Sequence, residues 1–124
     1  MKTKGTMKRD RISELSMDFA IRIVQLSQRL ENGREYVLSR QLRKSGTSIG
    51  ANVRESKYAQ SRANFVSKLQ IALKEAGETD FWLELLLRTS SITKAEYAEL
   101  SHICTQLIAI LTASINTCAE SMNR

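Results

Sequence analysis

A chain of 124 residues fits one domain and can bury a hydrophobic core without disulfides or metals. It has no proline and few glycines, so long helices run unobstructed, and its formal charge of +6 favours phosphate-rich partners over cationic ones. No apolar run approaches the ~20 residues that span a bilayer. The basic N-terminus is followed by Asp10, Glu14 and Asp18 instead of an apolar signal segment, so the expectation is a cytosolic protein without a membrane partner.

The charge is unevenly placed. Residues 1–62 hold 14 Lys/Arg against 6 Asp/Glu, and residues 63–124 hold 5 against 7. A phosphate-rich ligand fits this asymmetry, and so does a second half whose acids neutralise the first half of a neighbouring subunit.

Residues 1–10 read as a flexible basic arm and residues 11–124 as one helical domain. The first helix starts near Arg11, capped by Asp10 or Ser13. Ile12, Leu15, Phe19, Ile23, Leu26 and Leu30 recur at three- and four-residue steps as one apolar stripe. Asn32-Gly33 is a stop signal, because both residues tolerate a left-handed backbone.

The second helix is expected from Tyr36 to Lys57. With Leu38 at zero on a wheel of ~100° per residue, Leu42, Ser45, Ile49, Val53 and Ser56 share its face, while Arg40, Arg43, Lys44, Thr47 and Arg54 lie opposite. Gly46 and Gly50 each cost roughly 1 kcal/mol against alanine in a helix interior. The stripe continues in phase across them, so close approach of a neighbouring helix is the expected compensation, against a helix break at Gly46.

Ser61 caps a third helix predicted over 62–88. Phe65, Leu69, Ala72, Ala76, Leu83 and Leu87 form its core stripe, and Ile71, Phe81, Trp82, Leu85 and Leu86 spread around much of the rest. A subunit interface formed by those last five residues is the expectation, against the alternative that two flanking helices of a four-helix bundle simply cover them. Thr93-Lys-Ala-Glu96 is a capping box for a fourth helix, whose apolar face carries Tyr97, Leu100, Cys104, Leu107, Ile108, Leu111, Ile115 and Cys118. Four long amphipathic segments joined by short turns predict an all-α, antiparallel up-down four-helix bundle.

No catalytic constellation, cofactor motif or metal set is legible. Cys104 and Cys118 lie ~21 Å apart by helical rise, so they cannot bridge within one helix, and their place on the apolar stripe predicts buried free thiols. His102 is the single histidine. Glu99-Leu-Ser-His102 matches one Glu-x-x-His of a di-iron bundle, which needs two such motifs and further carboxylates. A solvent-facing histidine is the expectation. Gly46-Thr-Ser-Ile-Gly50 lacks the Lys-Ser/Thr ending of a phosphate loop and any preceding strand. The remaining candidate is the basic face: Arg40, Arg43, Lys44, Arg54 and Lys57, with Arg22 and Arg29 as a further edge on the first helix. With no stacked aromatics or base-reading loops in view, RNA or DNA binding there would be backbone-directed and salt-sensitive.

The runs Gln41-Leu-Arg-Lys-Ser-Gly-Thr-Ser-Ile-Gly-Ala-Asn-Val-Arg-Glu-Ser56 and Lys74-Glu-Ala-Gly-Glu-Thr79 resemble the bacterial four-helix-bundle proteins encoded within intervening sequences of 23S ribosomal RNA genes. The resemblance covers Leu15 to Ile115. Many members have a proline after Ser-Ile and a small residue where Arg54 stands; this chain has Gly50 and Arg54, which adds charge. The resemblance implies an up-down four-helix bundle and a homopentamer. A more distant similarity, to the accessory protein of diversity-generating retroelements, implies a reverse transcriptase and nucleic acid as partners. The expectation is a non-enzymatic, oligomeric, RNA-associated protein; the alternative is a scaffold or accessory factor for another protein such as a polymerase.

Overall fold

The computed structural model describes residues 10–122, so all but the last residue of the expected basic arm over 1–10 lies outside the described residues. Four helices follow in order: α1 (Arg11–Asn32), α2 (Tyr36–Ser56), α3 (Arg62–Arg88) and α4 (Lys94–Met122). Each packs on the next, and α1 meets α4 to close the bundle, with that seam the least intimate. The expected all-α four-helix bundle is the fold.

Local chemistry sets the helix starts. Asp10 is extended and its carboxylate accepts the Ser13 N–H at 2.9 Å, with Glu14 favourably placed in the first turn. Ser61 does the same for the Asn64 N–H at 3.0 Å. Before α4 the capping box is closed in both directions: the Thr93 N–H donates to Glu96 Oε1 at 2.8 Å, and the Glu96 N–H donates to Thr93 Oγ1 at 3.0 Å.

The stops differ from expectation. The left-handed residue after α1 is Arg34, with φ 70°, whereas Gly33 has φ −87°. The Glu35 N–H reaches back to the Leu30 carbonyl at 2.8 Å and the Arg34 N–H to that of Glu31 at 2.9 Å, which is a Schellman closure. The helix runs on through Asn32 because Leu30 is a buried core residue, and the reversal therefore falls on Arg34. Ser90, φ 61°, plays the same part after α3, where the Ser91 N–H bonds the Leu86 carbonyl at 2.8 Å.

The core is built from Phe19 and Ile23 of α1, Leu42 and Ile49 of α2, Leu83 and Leu86 of α3, and Leu107 and Leu111 of α4, all fully buried. Leu86 is thus a core residue of its own chain and not part of a subunit interface. On the α3 wheel it sits ~60° from Leu83 and ~20° from Thr79, whose hydroxyl bonds Ser45 of α2.

α2 is continuous across Gly46, and the compensation for its glycines is visible. A Cβ on Gly46 would stand 2.8 Å from Cγ2 of Ile23, and one on Gly50 would stand 3.4 Å from the Ser16 carbonyl oxygen. On the other flank Thr79 Oγ1–H donates to Ser45 Oγ at 2.9 Å, tying α2 to α3 inside the core. Small residues let α2 lie close to both neighbours at once.

Gly77, in the interior of α3, has nothing within 4 Å of where its Cβ would be. The two glycines therefore predict opposite outcomes. Gly46→Ala forces Ile23 off its position and is expected to cost about 1–3 kcal/mol. Gly77→Ala gains helix propensity without a clash and is expected to add about 1 kcal/mol. Urea unfolding midpoints of the two variants check both signs.

Candidate nucleic-acid interface

The sequence places seven cations in one candidate surface, and the structure separates them. Arg40, Lys44 and Arg54 are exposed on α2 and have no ion pair among the described residues. With Ile49 pointing inward, Arg40 lies directly outward and the other two within ~40° of it. The acid within α2, Glu55, is drawn aside to Lys68 of α3 at 2.8 Å. The outer face is therefore positive along its length, with no internal neutralisation.

The other four cations are engaged. Arg43 turns toward α1: its Nε–H donates to Ser27 Oγ at 3.0 Å, and its Nη2 lies 2.7 Å from Glu31 Oε2. That Nη2 is buried and makes no aligned hydrogen bond, so the Glu31 contact is an electrostatic pairing. Lys57 pairs with Asp10, the cap of α1. Arg22 and Arg29 face α4, where they pair with Glu99 at 3.3 Å and with Glu96. They occupy the α1–α4 seam and not the outer face of α2.

Two residues outside the predicted set border that face. Tyr36 is 49% exposed at the start of α2 and Tyr58 is 79% exposed in the turn that ends it. Tyr36, Arg40, Lys44, Thr47, Ala51 and Arg54 advance by steps of four and three, the spacing of one helical face, and Tyr58 follows in the turn just beyond Ser56, beside Glu55, Asn64 and Lys68. That spacing was readable in the sequence; the exposure of the rings was not. A shallow groove of about 350 Å³ runs beside the face, lined by Met17, Ala20, Thr47, Gly50, Ala51 and Arg54.

The residues expected at a subunit interface are divided as well. Phe81 is 57% exposed and meets Trp82 edge-on, with centroids 5.1 Å apart. Trp82 is partly buried, and its Nε1–H donates to Glu78 Oε2 at 3.2 Å. Ile71 is exposed and Leu85 partly buried, while Leu86 is inside. One expectation about membranes also needs correcting. Within Lys94–Ser121, α4 contains a stretch with the length and composition of a spanning segment. The reason is the uncharged stretch from Ser101 to Ala119. Its apolar face packs in the bundle through Leu100, Cys104, Leu107 and Leu111, and its outer face exposes His102, Thr105, Thr112 and Asn116.

Among the described residues no group of His, Cys, Asp and Glu could hold a metal ion. Cys104 is fully buried and its thiol donates to the Ala76 carbonyl at 3.3 Å. Burial, with the charge of Asp80 as a lesser cause, pushes this thiol up from 9.0 to about 12. Cys118 is partly buried and also free.

The family described as 23S rRNA-intervening sequence protein matches residues 8–113. Among solved structures, a protein of unknown function from the S23 ribosomal protein family of Bacteroides thetaiotaomicron is 48% identical, with a TM-score of 0.82, over 84% of this chain and 97% of that one. No curated protein matches the chain.

The two cysteines make a reactivity prediction. At pH 8 a thiol reagent should label Cys118 in the folded protein and spare Cys104 until the chain unfolds. Because the Cys104 thiol ionises near 9.0 when unfolded and near 12 when folded, it has no linkage effect below that window. Between those values the unfolded state loses the proton first, so stability falls as pH rises, by about 1.4 kcal/mol per pH unit at the limit. Denaturation across this window should show a steeper decline in the parent chain than in Cys104→Ala.

Proposed function

The chain belongs to the 23S rRNA-intervening sequence protein family, and from that premise we propose that it is a non-enzymatic, oligomeric, cytoplasmic protein that binds RNA through the outer face of α2. One observation carries this reading. Arg40, Lys44 and Arg54 stand in a row without acidic partners, while the other cations of the predicted set are spent on ion pairs at helix seams. Unpaired cations on a rigid helix lose little of their charge to the protein and retain it for phosphates.

Such binding is electrostatic in origin, so its salt dependence is part of the reading. Three phosphate contacts per subunit correspond to a slope of about −2 in log K against log salt for a single strand. Affinity for a labelled RNA, followed by fluorescence anisotropy, should drop about sixteenfold between 50 and 200 mM salt. Glutamate at positions 40, 44 and 54 together should remove binding, whereas reversing Arg22 and Arg29 should leave it largely intact. A protein that retains no RNA at low salt, or a triple variant that binds as before, overturns the proposal.

The oligomer rests on α3. Phe81 and Ile71 present apolar surface to solvent beside the half-buried Trp82 and Leu85, which favours association through this face. Five subunits is the number that the family resemblance supports for the proposed assembly. Phe81→Glu should lower the sedimenting mass toward the 14.0 kDa of one chain, with the helical signal unchanged. A variant that sediments like its parent shows that the assembly does not depend on this face.

A further inference from the structure

We propose that the outer face of α2 is a track for single-stranded nucleic acid, with unpaired bases stacked on the rings of Tyr58 and Tyr36. This rests on the reading of the same face as a phosphate-binding surface and specifies the ligand it takes.

The two tyrosines are hard to explain by folding. Tyr58 is 79% exposed and Tyr36 is 49% exposed. The aromatic pair in the structure is Phe81 with Trp82, so neither tyrosine ring has an aromatic neighbour among the described residues. Neither hydroxyl has a hydrogen-bond partner among them. An aromatic ring stabilises a fold in proportion to the area it removes from water, and Tyr58 removes little.

Their position supplies the explanation. The helix from Tyr36 to Ser56 rises ~30 Å at 1.5 Å per residue, and Tyr58 stands in the turn just beyond its end. Arg40, Lys44 and Arg54 fall between the two tyrosines. The intervening residues of the face, Thr47 and Ala51, are small and uncharged. At ~3.4 Å per nucleotide in a stacked strand, the track matches about ten nucleotides. A cationic row that follows the backbone, with aromatic planes that receive bases, is the physical recipe for single-strand binding. In a duplex the base faces are covered by their neighbours, so the rings would add nothing. An A-form RNA duplex keeps its base edges in a deep, narrow major groove that this helix face cannot enter.

The test compares a fluorescein-labelled RNA of about 12 nucleotides, free of self-complementarity, with the duplex of the same sequence, at one low salt concentration. The expected result is tighter binding of the single strand. Tyr58→Ala should weaken it about tenfold, with Tyr36→Ala acting in the same direction, because each stacked base contributes about 1–3 kcal/mol. Tyr58→Phe, which keeps the ring, should bind like the parent. The salt slope should be unchanged in all three, and duplex affinity should not respond to loss of the rings. Equal affinity for strand and duplex overturns the proposal. So does unchanged affinity in Tyr36→Ala and Tyr58→Ala while the triple charge reversal still abolishes binding; in that case the phosphate surface stands without the stacking. If Tyr58→Ala alters the sedimenting mass and not RNA affinity, the ring belongs to a contact between copies and the proposal fails. Absence of any RNA binding at low salt defeats the underlying functional reading as well.

Discussion

The close approach of α2 to both of its neighbours governs the rest of the molecule. At Gly46 the helix leaves no space for even a methyl group beside Ile23, and at Ser45 a hydroxyl bond to Thr79 takes the place of apolar bulk. Long charged side chains on α2 must therefore point outward. The helix is not basic on one face because charge was added to a spare surface. Its inner side is too narrow for anything but Ser, Gly, Leu, Ile and Val, so arginine and lysine have no other place to go. The requirement that packs the bundle is the one that concentrates positive charge.

Burial at the flanks then decides which cations remain available. Arg43 sits at the edge where α1 and α2 converge, close enough to Ser27 and Glu31 to be held by both. Leaving a guanidinium half-buried without a counter-charge would be costly, so its carboxylate partner belongs to the packing of the seam. Arg22 and Arg29 bridge the looser contact between α1 and α4, where two exposed pairs supply orientation more than energy. Lys44, ~100° farther round the same helix, escapes this seam, while Arg54, only ~20° from Arg43 on the wheel, escapes it because it stands three turns farther along, away from Glu31. The division of seven similar residues into two roles comes from angle together with height along the helix, because both decide whether an acid of a neighbouring helix or cap lies within reach.

Periodicity and capping chemistry made the helices legible, since both are local. The Asp10, Ser61 and Thr93/Glu96 caps, and the continuity of α2 across Gly46, follow from spacing along the chain. What the sequence did not disclose depends on contacts between elements. The reversal at Arg34 rather than Asn32-Gly33 reflects how far the Leu30 side chain must be carried into the core before the chain can turn. Leu86 looks like one more residue of an all-round apolar helix until α2 is seen to cover it. Arg43 and Arg40 are equivalent on a list of basic residues, and only the presence of Glu31 beside one of them separates the two. The exposure of Tyr36 and Tyr58 is a property of the assembled bundle and not of spacing along the chain.

Three cations and two rings are a sparse site, and their sparseness bears on why such a protein would assemble. A single copy offers roughly two units of salt slope and at most two stacked bases, which gives a weak and readily reversed complex. In the proposed oligomer the same α2 face recurs on every subunit, and a strand long enough to reach from one copy to the next binds the second face at a high effective concentration. Affinity then grows with the number of faces engaged and not with the quality of any one. The geometry of the bundle suits that arrangement, because α2 and the exposed part of α3 use different surfaces: Arg40 and Arg54 point away from α2's own packing, while Phe81 and Ile71 lie on the neighbouring helix. A contact made through α3 leaves the cationic row of α2 uncovered. Assembly and ligand binding need not compete for the same side chains, so a bundle this small can carry both.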